Sequence, residues 1–162
     1  LLLIREADVQ SFARNTGTML DASDLLDAMK PKVRLNIVLI EDDARDALLF
    51  QEQLRRASFI TPEVTHFTSL EAFFESNCDS PDVLVLDRFI QRVGLTEGRI
   101  RHVKARYPET GIIMYTGSIA PALRSIAVQE GAFAVVEKGS LSLTELELLI
   151  MTTAYVGSKI TN

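Results

Sequence analysis

Between Leu35 and Val156, short apolar runs of strand length alternate with segments of helical periodicity, and this alternation restricts the chain to few architectures. The run Leu35-Asn36-Ile37-Val38-Leu39-Ile40 is rich in branched residues and reads as a strand covered on both faces. Asp43 to Ala57 places Ala47, Leu48, Phe50, Gln51 and Leu54 at spacings near three and four, as an amphipathic helix does. Pro62 to Phe67 alternates like a short strand, and Ser69 to Phe74 opens a helix with Thr68 or Ser69 as N-cap. Pro81 introduces the strand Val83-Leu84-Val85-Leu86, Gly94 interrupts the loop beyond it, and Arg99 to Arg106 reads as a helix stopped by Tyr107-Pro108. Ile112 to Tyr115 form the fourth strand, followed by a helix capped by Ser118, with Pro121 in its first turn and Gly131 after its end. Ala132 to Val136 and Leu143 to Val156 complete the fifth pair.

Five such pairs predict an α/β fold with a five-stranded parallel sheet and helices on both faces, because right-handed crossovers carry successive helices over the sheet. The strand order taken for it is the flavodoxin-like 2-1-3-4-5. Residues 1–33 stand outside the repeat. Leu20, Leu25, Leu26 and Met29 share one face of a helix ended by Pro31, which predicts an N-terminal helical arm. The expected organisation is therefore an arm at 1–33, one α/β domain at 34–157 and a short tail at 158–162. A length of 162 residues and a hydrophobic content of 47% suit one core with an appendage.

A net charge of −5 and the lack of a long Lys/Arg block argue against direct nucleic-acid binding. Cys78 has no second cysteine to pair with, and no Cys/His cluster offers zinc ligands, as expected in a reducing cytoplasm. Leu1-Leu2-Leu3-Ile4 is too short for a signal sequence or membrane span, so a soluble protein with no membrane partner is expected. The missing initiator Met points to a piece of something longer.

In a sheet of this kind ligands bind beyond the carboxyl ends of the strands, where the strand order switches. Those ends carry Glu41-Asp42-Asp43, Asp87, Thr116 and Lys138. Each has an ordinary explanation alone: Asp42 or Asp43 as a helix cap, Asp87 as a turn residue, Thr116 as a strand-end hydroxyl, Lys138 as a solvated charge. Their joint placement favours a site. Magnesium takes oxygen ligands and usually one or two protein carboxylates, which suits Asp42 and Asp87, with Glu41 acting through water. An Asp carboxylate can attack phosphorus when charge on the transferring oxygens is neutralised, making Asp87 the candidate nucleophile. Lys138 supplies a compact positive charge and Thr116 a hydroxyl donor for a phosphate oxygen.

Ile40-Glu41-Asp42-Asp43, Leu84-Val85-Leu86-Asp87, Met114-Tyr115-Thr116-Gly117-Ser118, and Gly131-Ala132 through Glu137-Lys138-Gly139 resemble, in order and spacing, the receiver domain of two-component response regulators. The resemblance covers about residues 34–157. It implies that Asp87 accepts phosphate from a histidine kinase or phosphotransfer protein, that Glu41, Asp42, Asp87 and the Phe89 backbone carbonyl hold Mg2+, and that Thr116 and Lys138 contact the phosphate. It implies a signalling phosphoacceptor with at most slow self-dephosphorylation rather than a turnover enzyme. A homodimer through the arm or through the last helix and strand is a further expected contact.

The sequence departs from the pattern at three places. Val135 stands where receivers often carry an aromatic switch residue, Gly139 replaces the proline common after the lysine, and Arg88-Phe89-Ile90-Gln91 lacks a common proline. The missing aromatic and the unusual loop favour an alternative, a pseudo-receiver that binds partners without phosphorylation, against which the retained acidic, Thr and Lys set argues. An aspartyl-phosphate phosphatase would carry a second Asp two residues after the nucleophile, where this chain has Phe89. A flavin carrier would not place Glu41-Asp42-Asp43 against its cofactor phosphate.

Overall fold

A computed structural model describes residues 32–90 and 94–159. The chain divides into two units, Leu1–Lys32 and Val33–Asn162. The expected arm, except Lys32 and Val33, lies outside the described residues, as do Gln91 and the last three residues.

Parallel strands β1 (Val33–Ile40), β2 (Ile60–Phe67), β3 (Val83–Leu86), β6 (Gly111–Thr116) and β7 (Ala134–Glu137) form one sheet in the order β2-β1-β3-β6-β7. Counting only these five, the order is 2-1-3-4-5, as expected. Helices α1 (Ala44–Leu54) and α5 (Leu143–Lys159) cover one face, while α2 (Leu70–Glu75), α3 (Ile100–Arg106) and α4 (Leu123–Glu130) cover the other.

Strand periodicity explains this division. Ile37 and Leu39 of β1 join Val83, Val85, Ile113 and Tyr115 in the layer under α1 and α5. Val38 and Ile40, one residue out of step, join Leu84, Leu86, Ile112 and Met114 in the layer under α2, α3 and α4. The four residues of β3 are all buried, as a central strand with both faces covered requires. Each Leu or Ile so buried contributes roughly 1.5–3 kcal/mol.

The structure corrects the local expectations at four points. Residues after Asp87 fold into a small hairpin, β4 (Phe89–Ile90) against β5 (Gly94–Leu95), where a plain loop was expected. The helix after β6 starts at Leu123, so Pro121 precedes it and Ser118 does not cap it; the Ser118 N–H turns back to Thr116 Oγ1 at 3.4 Å. A 3-10 turn, Glu97–Arg99, leads into α3. Helix α5 continues to Lys159, beyond the expected Val156. Gly131 does end α4, as its left-handed C-cap. The peptide bonds of the described residues are trans, and Gly139 has φ +77°, which glycine adopts without a Cβ penalty. That conformation shapes the turn where the resemblance would have placed a proline.

Candidate functional site

Backbone hydrogen bonds carry the parallel ladder one residue past the strands. Glu41 N–H donates to Phe67 O at 3.0 Å, Asp87 N–H to Ile40 O at 2.9 Å, and Lys138 N–H to Thr116 O at 2.8 Å. The residues that follow β1, β3 and β7 are thereby held as firmly as the strands. Thr116 is itself the last residue of β6. This registers Glu41, Asp87, Thr116 and Lys138 along one sheet edge although they span nearly a hundred positions of sequence.

They line one cleft of about 370 Å³, together with Asp42, Asp43, Asp46, Phe89 and Ser118. Glu41, Asp42 and Asp87 each offer a carboxylate oxygen, and these oxygens lie within 4.8 Å of one another. A close set of hard oxygen donors is the chemistry that magnesium prefers, so the residues fit that ion. Glu41, Asp87 and Thr116 are buried, whereas Asp42 is half-buried. Asp43, considered for a cap on sequence grounds, is one: its Oδ1 accepts from the N–H groups of Arg45 at 2.8 Å and Asp46 at 3.1 Å.

Lys138 is the counter-ion of the cluster. Its Nζ lies 2.6 Å from Glu41 Oε2, 2.8 Å from Asp46 Oδ2 and 3.3 Å from Asp87 Oδ1. Burial raises the Asp87 carboxyl above the usual carboxylate range, against the opposing pull of Lys138. Burial likewise raises Glu41 against the Lys138 hydrogen bond, and the nearby Asp87 charge adds to the rise. On Lys138, burial acts to lower the pKa, but the hydrogen bonds to Asp46 and Glu41 and the Asp87 charge together lift it above an ordinary lysine. The ammonium thus stays charged, while two of its three partners remain uncomfortable as anions.

The hairpin holds the far side of Asp87. Thr96, fully buried, donates its hydroxyl to Asp87 O at 2.6 Å and approaches Arg88 O at 3.1 Å, and its N–H donates to Arg88 O at 2.9 Å. Phe89 N–H reaches Asp87 Oδ2 at 3.3 Å, while the Phe89 side chain stays exposed beside Leu95, its partner across the hairpin. Arg88 is held by Glu97 at 3.2 Å. Thr116 Oγ1 donates to Ser118 O at 3.2 Å. His66 donates from Nε2 to Glu41 O at 2.7 Å.

The sequence reasoning missed Asp46 and Thr96. Asp46 sits one turn after the cap in a helix that displays other polar residues, and Thr96 lies in what reads as a loop. Neither position carries a local signal of its contact with the strand-end residues.

Among solved structures, the signal receiver domain of NarL from Mycobacterium tuberculosis matches with a TM-score of 0.64 at 19% identity, over 77% of this chain and 98% of that one. The fold is that of a response regulator receiver domain. A receiver domain protein from Clostridium thermocellum matches with a TM-score of 0.63 at 24% identity, over 75% of this chain and 95% of that one. The BeF3-activated DrrB receiver domain matches with a TM-score of 0.64 at 20% identity, over 76% and 99% respectively. No protein-family model and no curated protein sequence matches the chain. The likeness therefore lies in the receiver fold, at a sequence identity of 19–24% to these three structures.

Proposed function

We propose that the chain is a two-component signalling receiver that accepts a phosphoryl group on Asp87 from a histidine kinase or phosphotransfer protein. The observation that carries this reading is the convergence, at one edge of a receiver-type sheet, of a buried Asp87, two further carboxylates and a lysine 3.3 Å from Asp87 Oδ1. An oxygen of Asp87 attacks phosphorus and forms the acyl P–O bond. The P–N bond to the donor imidazole breaks, and its electron pair leaves with the nitrogen. Lys138 and Thr116 stabilise charge on the phosphoryl oxygens.

Glu41, Asp42, Asp87 and the Phe89 carbonyl would hold Mg2+, which supplies neutralising charge to the phosphoryl oxygens. Self-dephosphorylation is at most slow, and the chain acts by changing protein contacts rather than by turning over a substrate. Among the described residues no helix is long and apolar enough to cross a membrane. The protein is read as cytoplasmic, with no direct nucleic-acid partner.

One observation favours a second reading, a partner-binding module independent of phosphate. Val135 stands in the place of the switch aromatic and is buried in the layer under α2, α3 and α4, so no ring swings there between two positions. Intact mass after incubation with acetyl phosphate and Mg2+ separates the two. A gain of one phosphoryl group that requires the metal and disappears in Asp87→Asn is the expected result. Labelling that persists in the variant would remove Asp87 as the acceptor, and none in the parent protein would remove the phosphoacceptor reading and leave the binding module.

A further inference from the structure

Lys138 has one more carboxylate partner than the proposed chemistry asks of it. Glu41 and Asp87 belong to the strand ends and to the group of carboxylates suited to a cation. Asp46 belongs to neither. It stands in the first turn of α1, where the Asp43 cap fixes the backbone by accepting the Asp46 N–H at 3.1 Å. The Asp46 carboxylate then meets Lys138 Nζ at 2.8 Å, across 92 residues of sequence. Its side chain is 39% exposed, against 3% for Glu41 and 10% for Asp87.

An ammonium bound to Glu41 and Asp87 engages two of the three carboxylates of the cation cluster, and the two positive charges repel at such range. Cation binding therefore requires the ammonium to retreat. Asp43 makes a poor receiver for it, because its Oδ1 already serves two N–H groups. Asp46 is within hydrogen-bond distance already, and its greater exposure means that an ion pair there keeps more hydration. Arg88, which also lines the cleft, is engaged by Glu97.

We propose that Asp46 is a positioning residue that takes the Lys138 ammonium when a divalent cation enters the Glu41-Asp42-Asp87 cluster, so that the first turn of α1 sets how tightly the cation is held. The inference rests on the receiver reading above. Asp46 lowers the cost of moving Lys138 and keeps the ammonium at the rim of the cleft, close to where a phosphoryl group on Asp87 would sit. Without Asp46, the ammonium returns wholly to the cation's own ligands.

Calorimetric Mg2+ titration of the full chain, in a double-mutant cycle of Asp46→Asn and Lys138→Gln, tests this. Asp46→Asn is expected to weaken Mg2+ binding about tenfold, the factor one charge-assisted hydrogen bond is worth. In the Lys138→Gln background the same change is expected to cost less than about twofold, the share left to through-space charge. Asp46→Glu is expected to restore most of the affinity. Equal losses in both backgrounds would make Asp46 a mere distant charge and overturn the proposal, as would no loss in the parent background. Thermal melting of each variant without metal identifies any that does not fold, and Lys138→Met replaces Lys138→Gln in that event. Mg2+ binding by the parent protein with an additive cycle defeats only the role of Asp46, whereas no binding by the parent defeats the receiver reading along with it.

Discussion

Asp87 carries its charge where burial resists it, and that resistance has a measurable pH signature. Its folded pKa lies above the ordinary value of 3.8. The native state therefore holds the proton more tightly than the unfolded chain, and stability falls as pH rises from the unfolded value through the folded one. Above both values the whole cost is present; below the unfolded value it is absent. Replacing Asp87 by Asn in metal-free protein is thus expected to raise the melting temperature by a few degrees near neutral pH. The gain should fade as pH drops toward the unfolded value. Lys138 keeps Glu41 and Asp46 in that variant, so the ammonium is not stranded. Melting curves in chelator across this range are the check, and a gain independent of pH would exclude burial of the Asp87 charge as its source.

At the scale of elements, the seating of α5 on the sheet depends on two glycines whose missing side chains make room. A Cβ on Gly157 would come within 2.7 Å of the Gly111 backbone nitrogen and closer still to Glu109 O. A Cβ on Gly111 would in turn run into the Thr153 backbone. Helix propensity alone favours Gly157→Ala by about 0.8–1 kcal/mol. The clash is with backbone, which cannot rotate aside, and forced overpacking costs about 1–3 kcal/mol. The net expectation for Gly157→Ala is a loss of stability, read from urea unfolding; a stabilised variant would show that α5 slides freely. The same helix shows where periodicity is silent. Leu146 and Ile150 announce the buried face of α5 in sequence, but Glu147 between them reads as solvent-facing. In the fold it is 1% exposed, and its Oε1 accepts from Phe59 N–H at 2.7 Å and Ile60 N–H at 3.3 Å, closing the start of β2. Similarly, Ser118 and Pro121 form a plausible helix start by local chemistry. The structure spends those residues on the turn that follows Thr116 and begins α4 at Leu123.

For the whole molecule, both apolar layers described here are assembled from elements between Val33 and Lys159, on the two faces of one sheet. A chain beginning at Lys32 is therefore expected to unfold in one cooperative transition and to bind Mg2+ as the full chain does. Denaturant unfolding with matched metal titrations tests this, and a broad or multiphasic transition would show that the first unit completes the core. Sedimentation of both chains bears on the arm as a dimer contact: an unchanged mass would remove that role.

The sequence by itself determined the alternation of strand and helix, the two-sided covering of a parallel sheet, and which residues stand at the strand ends. These follow from hydrophobic period and from the handedness of crossovers, which are properties of short segments and of chain order. Glu41, Asp42, Asp87, Thr116 and Lys138 were legible for that reason, each following or ending an apolar run. Only the tertiary structure decided that Lys138 is shared among Glu41, Asp46 and Asp87, that Thr96 pins the Asp87 carbonyl, and that a hairpin flanks the cleft. These contacts join side chains brought close by parallel strands and their covering helices, and no local pattern marks either partner. A carboxylate on an exposed turn of α1 becomes part of the site because the ladder has set Lys138 beside it.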